Sequence, residues 1–197
     1  MAKTVWVTGM GTVTGLGADL ETNWERALAG ESGVGPIRSF DAGGLPIAGA
    51  GEVSPEELEA LRGRLPEELV GEGERRVLFA LDAAQSAHAH AGLSSGGFDP
   101  ARAGVVMGTG LSTYRLEDFA AWQTLGGDFD AKRFSREWGK AHPSGYLRNP
   151  PERATSLLAR HLRLGGPSAT LTSACAAAGQ AVGLGLRMIR RGEADLV

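Results

Sequence analysis

Two rhythms alternate along the chain: short apolar runs bounded by glycine, and longer stretches whose apolar residues recur at helical spacing. Thr4-Val5-Trp6-Val7 is a short apolar run closed by Thr8-Gly9, and it predicts a buried strand. Asp19 is placed to N-cap a helix with Leu20, Trp24, Ala27 and Leu28 on one face, ended by Gly30. Residues 31–53 are rich in Gly, Pro and Ser and predict loop with one edge strand. Ser54-Pro55-Glu56-Glu57 is a capping box with proline at the first helical position. From Glu74 to Ala91, Val77, Leu81 and Ala84 mark a helix closed by Gly92. Gly104-Val-Val-Met-Gly108 predicts a second buried strand. Residues 111–148 carry no clear period and predict short helices and loops. A helix from Pro151 to Leu164 is stopped by Gly165-Gly166-Pro167, Ala169–Thr172 predicts a third strand, and Ala176–Arg191 a third long helix ended by Gly192. Ala194-Asp-Leu-Val197 reads as the start of a fourth strand.

Strands alternating with helices imply an α/β domain on a mainly parallel sheet, a single domain over residues 1–197. Leu196 and Val197 would leave a buried strand unfinished, so the expectation is the N-terminal part of a longer protein.

Composition narrows the chemistry. Apolar residues at 42% and charged residues at 22% are ordinary globular usage, so the chain can bury a core. Its 30 glycines fall between apolar runs rather than in repeats, which points to tight turns and close backbone packing. A net charge of −3 without a basic block argues against a nucleic-acid partner. No run approaches the length of a membrane span and no signal-like h-region opens the chain, so a cytoplasmic location is the default.

Cys175 is the only cysteine, which excludes an internal disulfide and every multi-cysteine metal site. It stands where the third strand turns into the third long helix. There, unpaired backbone N–H groups and the helix dipole favour a thiolate. Ala176, Ala177, Ala178, Gly179 and Gly183 leave space behind it, while Val182, Leu186 and Ile189 read as a core stripe. The competing role for a lone cysteine is that of a small buried hydrophobe. His88, His90, His142 and His161 show no spacing that would hold a metal, and each reads as a surface or packing residue.

Gly11, Gly15 and Gly17 match the glycine spacing of short-chain dehydrogenases. The Tyr-x-x-x-Lys pair that those enzymes need is missing after both Tyr114 and Tyr146. A glycine-rich strand-to-helix turn is the plainer reading.

Four segments together resemble the elongating β-ketoacyl-acyl-carrier-protein synthases of the thiolase superfamily: Val7–Gly17, Gly104–Gly110, Leu164–Ser168, and Thr172-Ser-Ala-Cys175 through Val197. The resemblance implies the first half of the αβαβα layered thiolase-like fold, with helices on both faces of a mostly parallel sheet. It implies that Cys175 accepts the acyl group and that the Gly108–Thr113 loop borders the acyl pocket. Gly108, Gly110 and Leu111 would then bind substrate, with Leu111 at a gating position and Ser112-Thr113 in place of the usual glycine pair. The implied reaction joins the Cys175 acyl group to a decarboxylating malonyl thioester, giving a 3-oxoacyl product in fatty acid or polyketide synthesis. In the family two histidines and a lysine from the second half assist decarboxylation, so residues 1–197 alone are not expected to condense. Acyl carrier protein and acyl or malonyl thioesters are the implied partners. No cofactor and no metal are implied, and a homodimer would pair strands near Ala169–Thr172. Two alternatives stand beside this one: a non-catalytic chain-length-determining partner subunit, which typically lacks the cysteine, and an NAD(P)-dependent short-chain dehydrogenase.

Overall fold

The computed structural model describes residues 3–47, 49–70, 74–110, 116–141 and 150–197. Helix α1 (Leu20–Leu28) begins where the Asp19 carboxylate accepts the N–H of Thr22 at 2.8 Å, a bond that also holds this carboxyl below its ordinary pKa. Strands β1 (Val34–Gly35) and β2 (Ala50–Gly51) pair antiparallel, so the expected single edge strand is a minimal hairpin. Helix α2 (Pro55–Arg64) carries the full capping box between Ser54 and Glu57. After the short α3 (Glu67–Val70) comes α4 (Arg75–His90), closed by Gly92 at φ 72°. Strand β3 (Val105–Thr109) follows. The aperiodic region then contributes a 3-10 run, Leu116–Trp122, and helix α5 (Ala131–Ala141). These two pack through their own aromatic cluster, with Trp122 edge-on to Phe134 at 5.2 Å and Phe119 stacked on Trp138 at 5.7 Å. Helix α6 (Arg153–His161), strand β4 (Ser168–Thr172) and helix α7 (Ala177–Arg190) complete the order.

β3 and β4 lie parallel, Val105 beside Ser168 and Thr109 beside Thr172, with α6 in the crossover. Side chains alternate along β3. Val105 joins the core built from Leu61, Leu65, Val77, Leu78, Leu81, Leu157 and Leu158, and Met107 packs against it. Gly108 points the opposite way, toward the start of α7. Helices therefore cover both faces, as the strand–helix alternation implies. Among the described residues no helix is long and apolar enough to cross a membrane.

Three expectations are corrected. Residues 4–7 form no strand, and Trp6 and Val7 are 78% and 81% exposed. The extended segment touches α4 on one side: a Cβ at Gly9 would sit 2.1 Å from the Ala87 carbonyl oxygen and one at Gly11 2.0 Å from that of Ala83. No described strand runs alongside it, so the apolar run has no ladder to join. Gly9 and Gly11 thus serve helix approach, while Gly15 lies against the Gly33 carbonyl and Gly17 against the Thr22 side chain. Second, the apolar face of α1 is not covered, with Trp24 and Leu28 exposed beside a shallow groove lined by Leu16 and Val34. Third, the buried stripe of α7 is Ala177, Ala181, Gly185 and Met188, while Val182 is exposed. Small residues carry this interface because α7 lies close against β3.

Residues 194–197 reach the sheet through one parallel bridge, Ala103 to Leu196, with the Gly104 N–H donating to the Leu196 carbonyl at 2.8 Å. Arg102 holds this segment by bonding both the Asp195 carboxylate and the Gly192 carbonyl.

One buried charge supports the α2–α4 contact. Asp82 is 2% exposed and receives two bonds of 2.9 Å from the guanidinium of Arg64. Arg64→Met is expected to lower stability by about 3 kcal/mol, because it strands a carboxylate in the core. A matching Asp82→Leu change in the same chain should recover most of that loss. Urea unfolding of both variants checks it, and a full-sized loss in the double variant would count against the explanation.

Candidate functional site

The parallel register brings the carboxyl ends of β3 and β4 to one edge of the sheet, where open α/β folds gather ligands. Gly110 leaves β3 there and Ser173-Ala174-Cys175 leaves β4. The turn after β4 is sharp. Ala174 sits at φ 48°, in the left-handed region, which for a residue with a Cβ costs about 1 kcal/mol or more. A 3-10 turn, Ala174–Ala176, begins at once and runs into α7. Cys175 rides on this first turn, free and exposed. Among the described residues the thiol takes no part in the core.

The N–H of Ala176 donates to the Ser173 carbonyl at 3.2 Å and that of Ala177 to the Ala174 carbonyl, and neither Ser173 nor Ala176 places a side-chain cap on the helix start. Ser173 instead donates its hydroxyl proton to Oε1 of Gln180 at 2.7 Å. The positive end of the α7 dipole faces this turn. Such a strained strand-to-helix elbow presents a nucleophile above the sheet edge.

The expected pocket glycines part ways. A Cβ at Gly108 would lie 2.4 Å from both the carbonyl carbon and oxygen of Ala177, so this glycine lets α7 close onto β3. Its direct role is packing beneath the elbow. Gly110 is exposed, with nothing among the described residues within 4 Å of a built Cβ. Leu111, with Ser112 and Thr113, lies outside the described residues, as do His142 and Tyr146.

The described histidines are engaged elsewhere. The Met10 N–H donates to Nδ1 of His90 at 3.2 Å, His161 Nε2 and Gln85 Oε1 are 3.1 Å apart, and His88 stands edge-on to Phe98 at 5.7 Å. No metal-binding group of three or more His, Cys, Asp or Glu occurs among the described residues. Two neighbours of the site are not evident in the sequence. Arg76 reaches Thr109 Oγ1 at 3.2 Å from the start of α4, and Gln180 holds Ser173. Neither belongs to a local motif; each becomes a neighbour only when helix and strand ends meet. Thr155 and Thr170 share a hydrogen bond at 2.6 Å that pins α6 to β4 below the elbow.

A family model described as "Beta-ketoacyl synthase, N-terminal domain" matches residues 2–197. The chloroplastic 3-oxoacyl-[acyl-carrier-protein] synthase I of Hordeum vulgare is 32% identical over 205 residues, taking in 99% of this chain and 41% of that protein. The ishigamide ketosynthase/chain length factor superimposes with a TM-score of 0.74 at 29% identity, over 98% of this chain and 46% of that one. A type II PKS acyl-carrier protein in complex with its ketosynthase, AntDE:AntF, gives 0.67 at 19% identity, a likeness of fold. The chain thus spans less than half the length of the relatives it matches.

Proposed function

The chain belongs to the β-ketoacyl synthase family, in the region of its N-terminal domain, and from that premise we propose that Cys175 is the acyl-accepting nucleophile of a condensing enzyme. The layered thiolase-like α/β arrangement that the resemblance implies is the fold of its structural relatives. The observation that carries the proposal is the setting of the only cysteine: exposed, on the first turn of a helix, after a left-handed residue at the carboxyl edge of a parallel sheet.

In this reading the Cys175 thiolate adds to the carbonyl of an acyl thioester. The tetrahedral oxyanion is met by backbone N–H groups of the elbow, and its collapse expels the carrier thiolate and leaves S-acyl Cys175. A malonyl thioester then loses CO2. Its α-carbon attacks the acyl carbonyl, and Cys175 departs as thiolate with formation of a 3-oxoacyl thioester. The groups that assist decarboxylation are assigned to the part of the relatives that extends past the matched region. Acyl-carrier-protein thioesters as donors, and pairing of two copies along β4, belong to the same proposal. The AntDE:AntF complex supports the carrier, and among the described residues β4 has a strand neighbour on one side alone. Retention of Cys175 favours a condensing role over that of a chain-length partner, and family membership speaks against the dehydrogenase.

Incubation with a short acyl-carrier thioester or acyl-CoA is expected to add one acyl mass, located on the peptide that contains Cys175. The adduct should be lost in Cys175→Ala; an adduct that persists there would reject the assignment.

A further inference from the structure

A sheltered ion pair stands at the sheet edge that carries Cys175, and the proposed chemistry does not use it. Glu74 caps α4: its Oε1 accepts the Arg76 N–H at 3.1 Å, and its Oε2 accepts Nε–H of the Arg76 guanidinium at 2.8 Å. The two side chains are 25% and 15% exposed, Arg76 and Glu74 respectively. Val77, Leu78 and Leu81, next along the helix, are fully buried, so the turn that bears the pair is seated in the core. From this base the guanidinium donates through Nη1 to Oγ1 of Thr109 at 3.2 Å. Thr109 is the last residue of β3 and lies in register with Thr172, just ahead of the Cys175 turn. Gly110 follows it, exposed. The ladder thus holds the backbone of Thr109 while Arg76 holds its side chain. A sheltered ion pair adds little net stability over apolar residues of the same size. What this one supplies is a fixed direction for the bond to Thr109.

We propose that Arg76 is a positioning residue for acyl transfer: braced on Glu74, it fixes the carboxyl end of β3, and with it the direction in which the chain leaves the sheet beside the Cys175 turn. The ends of a ladder open more readily than its middle, and here the end of the ladder is also the rim of the site. The start of α7 abuts the same strand end, since a Cβ on Gly108 would touch Ala177. Loosening Thr109 would leave the thiol and the core in place but spread the rim over several arrangements. Apparent affinity for the acyl donor then falls by the fraction that accepts it. The inference rests on the reading of Cys175 as the acyl-accepting nucleophile, which makes this edge a donor site.

Single-turnover acylation of Cys175 by a short acyl-CoA yields a limiting rate and a half-saturating concentration. Thr109→Val removes the acceptor and is expected to raise the half-saturating concentration about three- to tenfold, the scale of one net hydrogen bond, with the limiting rate unchanged. Thr109→Ser keeps the hydroxyl and should match the parent. Arg76→Met/Glu74→Gln removes both charges together and keeps an oxygen to cap α4. It should show the same shift, also if Thr109→Val does not fold, and adding Thr109→Val to it should shift nothing further. Iodoacetamide needs no donor site, and it should alkylate Cys175, the only thiol of the chain, at the parent rate throughout. An unmoved half-saturating concentration in Thr109→Val, equal shifts in its serine counterpart, or additive shifts in the combined variant would each overturn the proposal. So would a limiting rate that falls together with the denaturant midpoint, since Arg76 would then be a structural support alone. A parent chain that takes no acyl group on Cys175 would instead reject the nucleophile reading, and this inference with it.

Discussion

Serine at position 175 is expected to slow acyl transfer at least about a thousandfold while leaving the thermal unfolding of the chain unchanged. The exchange is nearly isosteric, and the side chain is exposed on the first turn of the helix, so packing has little to lose. The chemistry changes instead. A thiol gives up its proton readily enough to attack an acyl group and to leave from it, with help from a helix start alone. A hydroxyl needs an adjacent base. None is at hand among the described residues: His88, His90 and His161 are on α4 and α6, two of them bonded to other groups. A thousandfold corresponds to about 4 kcal/mol in the barrier, within what a lost nucleophile costs. Single-turnover release of the carrier thiol measures the effect. A serine variant retaining a tenth of the parent rate would show that the elbow activates its side chain by some stronger means.

Gly108→Ala carries the second large effect, and it is structural. The new methyl would meet the Ala177 carbonyl at 2.4 Å, a backbone group that can yield only if α7 moves as a body. Overpacking of this kind costs about 3 kcal/mol. The movement would also shift the turn bearing Cys175, so alkylation should change together with the denaturant midpoint. Gly110→Ala provides the contrast. Among the described residues nothing lies within 4 Å of its built Cβ, and stability should stay within about 0.5 kcal/mol of the parent. Equal stability in the two variants would mean that α7 is not held against β3 by that glycine.

These two glycines show where sequence reading reaches its limit. A glycine at an open turn and one required for helix approach look alike along a chain; only the direction of the missing Cβ separates them. Local signals carry further. The Asp19 and Ser54 caps, the closures at Gly30, Gly92 and Gly192, and the strand–turn–helix around Cys175 are set by residues a few positions apart, and the structure has them all. Periodicity misplaces the stripe on α7 because it counts large apolar residues, whereas a helix pressed close to a strand buries Ala177, Ala181 and Gly185. The Thr4–Val7 run has a strand's composition, but a strand is made by its neighbour, and no described strand lies beside it. Gln180 is hidden for a similar reason: its partner lies across a bend that no helical or extended spacing anticipates.

The ladder that joins Val105 to Ser168 has a bearing on how the molecule is born. Parallel pairing across a long crossover is non-local, and its loop-closure entropy must be overcome before the pairing gives any return, which makes such steps slow. β3 leaves the ribosome well before β4, and the left-handed bend at Ala174 stands between β4 and α7. On the proposed reading of Cys175, the reactivity of the thiol would depend on this late step, and a nascent or misfolded copy would carry the residue without the property.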